Sequence, residues 1–235
     1  MLKNAGGLAE NTVPADNQLK GNPAVYYDGD GGLRVLIAGN SITRHAPAPE
    51  LGWDGDWGMA ASAKEKDYVH ILMGMIRGKF GAARFCVAQL AEAEQRYREI
   101  DAVLAKFGEL KAFRADIAIV RLSENARIEK DGGREAFRAA YEKTLGFLSG
   151  GGAAALVVGT GFWRNPDADA AIREAAGRFG AAVAELGDLG ERDENKAVGL
   201  FAHGGVAAHP GDTGMRAIAE RLFGKILSAR NARRA

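Results

Sequence analysis

Cysteine is nearly absent. Cys86 stands alone in 235 residues, so neither a disulfide framework nor a cysteine-built zinc site is expected. Net charge is nearly absent too: 31 Lys and Arg against 30 Asp and Glu leave +1, and nothing in that balance points to nucleic acid or an acidic surface as partner. No apolar run reaches the roughly 20 residues that cross a bilayer, so no membrane association is expected. The opening Met1-Leu2-Lys3-Asn4-Ala5-Gly6-Gly7 lacks the apolar stretch of a secretory signal, which points to the cytoplasm. No Gly-x-Ser-x-Gly elbow occurs, which argues against the α/β-hydrolase fold. A Gly-rich phosphate loop and an internal repeat are also missing. Arg230, Arg233 and Arg234 form only a short basic tail at a helix end, where cations suit the helix dipole.

What is present is enough apolar material, 47% of residues, to bury one full core. It is distributed as alternating strands and helices. Apolar runs over 33–38, 83–88, 117–122, 154–159 and 182–186 read as buried strands. Between them, Tyr68, Leu72, Ile76 and Phe80 form one helical stripe, and Phe137, Tyr141, Leu145 and Leu148 another. Asn165-Pro166-Asp167 has the cap, proline and early acid of a helix start, and Gly180 closes that helix. Such alternation implies a three-layer α/β/α sandwich around a parallel sheet of about five strands. Residues 1–32 are poor in apolar positions and read as an N-terminal extension with one short hairpin at Val25-Tyr26-Tyr27. Residues 33–235 then form the main domain.

The most informative run is Leu33-Arg34-Val35-Leu36-Ile37-Ala38-Gly39-Asn40-Ser41. Gly39 permits a sharp turn, and Ser41 falls just past the carboxyl end of the first parallel strand, where open α/β sheets place ligands. Ser41 is either a nucleophile awaiting a base or a cap for a following helix. Ile117-Ala118-Ile119-Val120-Arg121-Leu122-Ser123-Glu124-Asn125 sets an amide beyond another strand, and His209-Pro210-Gly211-Asp212 sets an imidazole on the turn into a last helix. Asp212 itself reads as that helix's N-cap.

Ser41, Asn125 and His209, in this order and setting, resemble the SGNH (GDSL-like) hydrolase superfamily over nearly the whole core. The resemblance implies a flavodoxin-like strand order 2-1-3-4-5 and an ester hydrolase needing no cofactor. It assigns Ser41 as nucleophile, Asn125 as oxyanion donor and His209 as base. Three positions depart from the family pattern. Gly-Asn-Ser replaces the commoner Gly-Asp-Ser. Three residues before the histidine, where the family has an Asp, stands Val206. The second-block glycine has no match near Cys86-Val87-Ala88-Gln89-Leu90-Ala91, which offers only backbone donors. Serine attack needs a base and oxyanion donors, and a backbone carbonyl can orient the imidazole as well as a carboxylate can. A carbonyl within 204–207 is therefore expected to hold His209, with Glu124, Asp188, Asp193 and Asp212 as carboxylate alternatives.

Other residues carry open alternatives. His45, four residues after Ser41, is a substrate contact or a rival base. Asn40 and Glu124 are candidate substrate contacts, with Glu124 a surface charge on the competing reading. Residues 45–61 are broken by Pro47, Pro49, Gly52, Gly55 and Gly58. Their Trp53 and Trp57 form either a wall over the site or a plug of core, and Trp163 poses the same choice. His70 falls off its helix's apolar stripe and is expected in solvent. His203 either lines the cleft or sits exposed on its loop. The resulting expectation is a serine esterase acting on a short acyl, most simply acetyl, ester of a carbohydrate. A lipid ester or thioester hydrolase is the alternative, as is a binding module with a degenerate site. The partner is then a saccharide or other small ester, with no metal involved.

Overall fold

The computed structural model describes residues 13–152 and 154–232. The opening heptapeptide and the tail residues Arg233 and Arg234 lie outside the described residues. Arg230 stacks its guanidinium 4.5 Å from the Phe80 ring centroid, a packing role for the tail's first cation.

Among the described residues six strands form one sheet: β1 (Val25–Asp28), β2 (Leu33–Gly39), β3 (Ala83–Gln89), β4 (Ile117–Arg121), β5 (Ala155–Gly159) and β6 (Ala182–Ala184). Their spatial order is β1-β3-β2-β4-β5-β6. Strands β2 to β6 pair in parallel, so the parallel core has the 2-1-3-4-5 order. The sixth strand is the N-terminal one, and it corrects the expected hairpin. Val25–Asp28 crosses over to pair antiparallel with β3, leaving β2 between two parallel neighbours.

Residues alternate between the two faces of the sheet. Leu36, Ala38, Cys86, Ala118, Val120 and Leu156 pack with one set of helices. Val35, Ile37, Phe85, Val87, Ile119 and Val157 pack with the other. Both faces are therefore dry, which is why each strand reads as a continuous apolar run rather than an alternating one. Helices α6 (Gly133–Leu148) and α7 (Pro166–Phe179) cover the first face. Helices α2 (Tyr68–Phe80) and α9 (Asp212–Ala232) cover the second. Asn165 accepts the Ala168 amide to start α7, and Gly180 ends it in the left-handed region.

The link from β3 to β4 is a chain of short helices, including α3 (Ala91–Gln95), α4 (Ile100–Leu104) and α5 (Gly108–Ala112). Ahead of the sheet, α1 (Ala15–Leu19) rests on α3: Ala15 N donates to Gln95 Oε1 at 2.9 Å, and Gln95 Nε2 donates to the Val13 carbonyl at 2.8 Å. Two local expectations change. His70 is tied to Asp67, with 2.7 Å between Nδ1 and Oδ1, because Asp67 caps α2 and faces back along it. The Asp212 carboxylate accepts from Ser62 N and Oγ at 2.8 and 2.7 Å, and so fastens the loop before α2 to the start of α9. Among the described residues no helix is long and apolar enough to cross a membrane.

Candidate active site

The segments that follow β2, β4 and β5 open onto one cleft of about 130 Å³. It lies beside the carboxyl ends of β2 and β4, where the strand order reverses direction, the usual ligand position of such sheets. Ser41, Asn125 and His209 all line it.

Ser41 follows β2 in a turn held by the Asn40 carbonyl, which accepts from Thr43 N and Arg44 N at 2.9 and 3.0 Å. No helix follows directly, so the capping alternative falls away. Gly39 is required here for space rather than for an unusual φ. A Cβ on it would sit 1.9 Å from Thr43 Oγ1 and 3.1 Å from the Arg121 carbonyl. The tight turn leaves Ser41 8% exposed, enough to reach the cleft. His209 follows α8 (Gly204–Ala207), a single turn whose N-cap is His203.

Ser41 Oγ and His209 Nε2 are 3.0 Å apart, and His209 Nδ1 lies 2.7 Å from the Gly205 carbonyl. A carbonyl only accepts, so Nδ1 carries the ring proton and Nε2 presents its lone pair to the serine hydroxyl. The orienting oxygen thus comes from within the expected 204–207 stretch. The four carboxylate alternatives are engaged elsewhere: Asp188 with Arg221, Asp193 with Lys196, Asp212 with Ser62, and Glu124 with Arg121. Trp163 meets the imidazole edge-on, with ring centroids 5.0 Å apart, and its Nε1 donates to the Ala208 carbonyl at 3.1 Å. It is both anchored and part of the cleft lining. Burial pushes the His209 pKa down to about 4; the Gly205 hydrogen bond opposes that shift and nearby His45 adds to it.

His45 is 2% exposed, lines the cleft, and has Nδ1 2.7 Å from the Ala46 carbonyl. That contact leaves its Nε2 as an acceptor, a chemistry suited to a substrate hydroxyl. His203 also lines the cleft while remaining exposed.

Three expected substrate contacts are placed differently. Asn40 is fully buried, and its amide is consumed inside the protein. Nδ2 donates to Glu94 Oε1 at 2.9 Å and Glu124 Oε2 at 2.7 Å, while Oδ1 accepts from Ile42 N at 3.2 Å. Trp53 and Trp57 pack edge-on at 5.5 Å, and neither lines the cleft. Trp53 is 3% exposed and sits among Ala48, Met59, Ala60, Ala197 and Val206. The loop reaches the cleft through His45, Leu51 and Met59. Trp53 is thus packed as core, while Trp57 is half-buried with its Nε1 donating to the Ala61 carbonyl at 2.9 Å. Near the second block, backbone donors are also spent: Gln89 N on the Ala24 carbonyl, Leu90 N on the Gly39 carbonyl and Ala91 N on Gln89 Oε1.

Beneath Asn125 lies a buried polar cluster that the residue patterns did not reveal. Arg121 is fully buried and pairs with Glu124, whose Oε1 also accepts Phe162 N at 2.9 Å. Glu94, 1% exposed, accepts from Asn125 Nδ2 through Oε1. Burial first, then the Glu124 charge, pushes the Glu94 pKa up to about 8. Glu124 is held below its ordinary value chiefly by Arg121, against the cost of burial. The cluster thus combines the Arg121–Glu124 ion pair with a second carboxyl, Glu94, whose hold on a proton is raised. An arginine inside the apolar run Ile117-Ala118-Ile119-Val120-Arg121 was the available signal for it. Glu94 had none, since Glu92 and Glu99 look the same in sequence. Among the described residues no group of three or more His, Cys, Asp or Glu is arranged to hold a metal.

No protein-family model and no curated protein matches the chain. Solved structures do. A two-domain esterase active on acetylated mannans, co-crystallised with mannopentaose, superposes with TM-score 0.55 at 16% identity, covering 85% of this chain and 50% of that one. The chain thus spans half the length of that esterase. A Bacteroides uniformis protein assigned as a GDSL-like lipase gives 0.54 at 16%, covering 84% and 97%. A family two carbohydrate esterase from Cellvibrio japonicus gives 0.50 at 14%, covering 85% and 62%. The chain has the α/β/α fold shared by GDSL-like lipases and carbohydrate esterases.

Proposed function

We propose that the protein is a serine esterase that hydrolyses a short acyl ester of a carbohydrate through Ser41, His209 and Asn125. The observation that carries the reading is the 3.0 Å Ser41–His209 contact, with Nδ1 held on the Gly205 carbonyl at the floor of a cleft. Ser41 Oγ attacks the ester carbonyl carbon while His209 Nε2 takes the hydroxyl proton. The carbonyl oxygen becomes an oxyanion, held by Ser41 N–H and the Asn125 side-chain amide. Collapse expels the alcohol, which takes the proton from His209. Water then attacks the acyl-serine, His209 accepts its proton, and the acid leaves as Ser41 regains a proton.

A cleft of about 130 Å³ suits a small acyl group. The Trp163 ring in the cleft lining and the His45 acceptor suit a polar, ring-shaped alcohol portion. The fold's occurrence in an esterase active on acetylated mannans supports the same substrate class. With an aryl acetate, Ser41→Ala should cost roughly 10³-fold or more in kcat while the circular dichroism spectrum stays unchanged. A fluorophosphonate should label the wild type and not the variant. Near-wild-type turnover by Ser41→Ala overturns the mechanism. Faster hydrolysis of an aryl octanoate than of an aryl acetate or an acetylated oligosaccharide overturns the substrate class.

A further inference from the structure

A side-chain amide can donate to an oxyanion only if its NH2 end, not its oxygen, faces the substrate. In this protein a directional chain of hydrogen bonds decides that orientation. It starts at a donor that cannot reverse: Ala91 N–H, which donates to Gln89 Oε1 at 3.1 Å. Gln89 must then offer Nε2, and it donates to Gln18 Oε1 at 2.6 Å. Gln18 must in turn offer Nε2, which donates to Asn125 Oδ1 at 3.4 Å and to the Val13 carbonyl at 2.9 Å. The Val13 contact independently identifies that end of Gln18 as the donor. Asn125 is left presenting Nδ2, and Glu94 Oε1 accepts one of its two protons.

We infer that Glu94 is a positioning residue: together with Gln18 it clamps the Asn125 amide so that the second Nδ2 proton points at the oxyanion. This rests on the esterase reading above. The neighbourhood fits an acceptor that carries no charge. Glu94 Oε1 receives both Asn125 and Asn40, whereas Oε2 is buried without a protein hydrogen-bond partner among the described residues. Burial and the Glu124 charge favour the protonated acid, whose Oε1 still accepts from both amides and which adds no second anion beside the developing oxyanion. The groups facing it are Glu124, already neutralised by Arg121, and the Tyr141 hydroxyl from α6. The clamp also gives the N-terminal extension a function, because Gln18 reaches the site from α1.

The test is a double-mutant cycle in the full chain, read on aryl acetate hydrolysis. Asn125→Ala should lower kcat by about 10²–10³-fold, as loss of one oxyanion donor does. Glu94→Ala should lower kcat by about tenfold or more with KM nearly unchanged, and should have almost no further effect in the Asn125→Ala background. Glu94→Gln keeps an acceptor oxygen toward both amides and should retain kcat within about threefold. Multiplicative losses in the Glu94/Asn125 pair overturn the inference, as does a Glu94→Gln variant no better than Glu94→Ala. Should Glu94→Ala fail to fold, the same cycle with Gln18→Ala decides, since it loosens the amide from its oxygen side. The Asn125 side-chain NH2 resonances give a readout independent of turnover. One proton should be protected in the wild type and exposed in Glu94→Ala. Protection that survives this change overturns the clamp even if Ser41→Ala has already overturned the esterase reading.

Discussion

Trp53→Ala separates core from wall in the loop after Ser41, and the structure sets the expected size. The indole is 3% exposed, stands edge-on to Trp57 at 5.5 Å, and lies 6.2 Å from Phe201. Its Nε1 donates to the His45 carbonyl at 3.2 Å. Gly55 is needed beneath it, since a Cβ there would come within 2.5 Å of Trp53 Cζ2. The cavity left by truncation is lined by Ala48, Met59, Ala60, Ala197 and Val206 together with the Trp57 and Phe201 rings. Truncations of this kind cost roughly 3–5 kcal/mol. For a chain of this size each kcal/mol moves Tm by about 2–4 °C, so the variant should melt roughly 6–20 °C lower. Because Trp53 does not line the cleft, the ratio of aryl acetate to aryl octanoate turnover should stay as in the wild type. A thermal melt beside the two-substrate assay measures both quantities. A Tm within about 2 °C of wild type together with a shifted acyl preference would refute the packing account and restore the indole as a substrate wall.

Two further outcomes follow from the site. Burial holds the His209 pKa down at about 4, so the histidine is a free base across the neutral range. The acid limb of kcat/KM should therefore fall near pH 4 rather than near 6.5; a midpoint at 6–7 contradicts the desolvated imidazole. The same depression means that an unfolded chain binds this proton first. The linked stability is present above about pH 6.5 and is lost as pH falls through 4, so circular dichroism must accompany the profile. Gly39→Ala should destabilise the turn carrying Ser41 by about 2 kcal/mol or more, because its Cβ would overlap Thr43 Oγ1. A Gly39→Ala protein with unchanged Tm and turnover would show that Thr43 can turn away at no cost.

Much of the site was legible because its three polar residues lie at strand or helix boundaries, where local pattern is strongest. Ser41 follows the run from Leu33 to Gly39, Asn125 follows the run from Ile117, and His209 precedes the apolar stripe of α9. Period and punctuation locate such boundaries without knowledge of what packs against them. The order of the parallel strands was reached through resemblance. Pattern had no means of placing β1, whose partner is β3 rather than the adjacent β2. Strand pairing at a distance depends on which edge is open, and a four-residue segment does not encode that.

By itself, then, the amino-acid sequence determined the alternation of buried strands and helices, the two-sided core, and the positions along the chain of Ser41, Asn125 and His209. Each of these follows from local periodicity, caps and turn residues. Tertiary structure alone decided which polar groups are spent and which remain available. Asn40 looked like a neighbour of the substrate but bridges Glu94 and Glu124. Trp53 looked equally suited to sugar or to core until Val206 and Ala197 closed over it. Glu94 and Gln18, 76 residues apart in sequence, meet the same amide from opposite ends. The physical reason is common to all of them. A hydrogen-bonding group is defined by its partner, and these partners come from segments that are distant in sequence and become neighbours only when the sheet assembles.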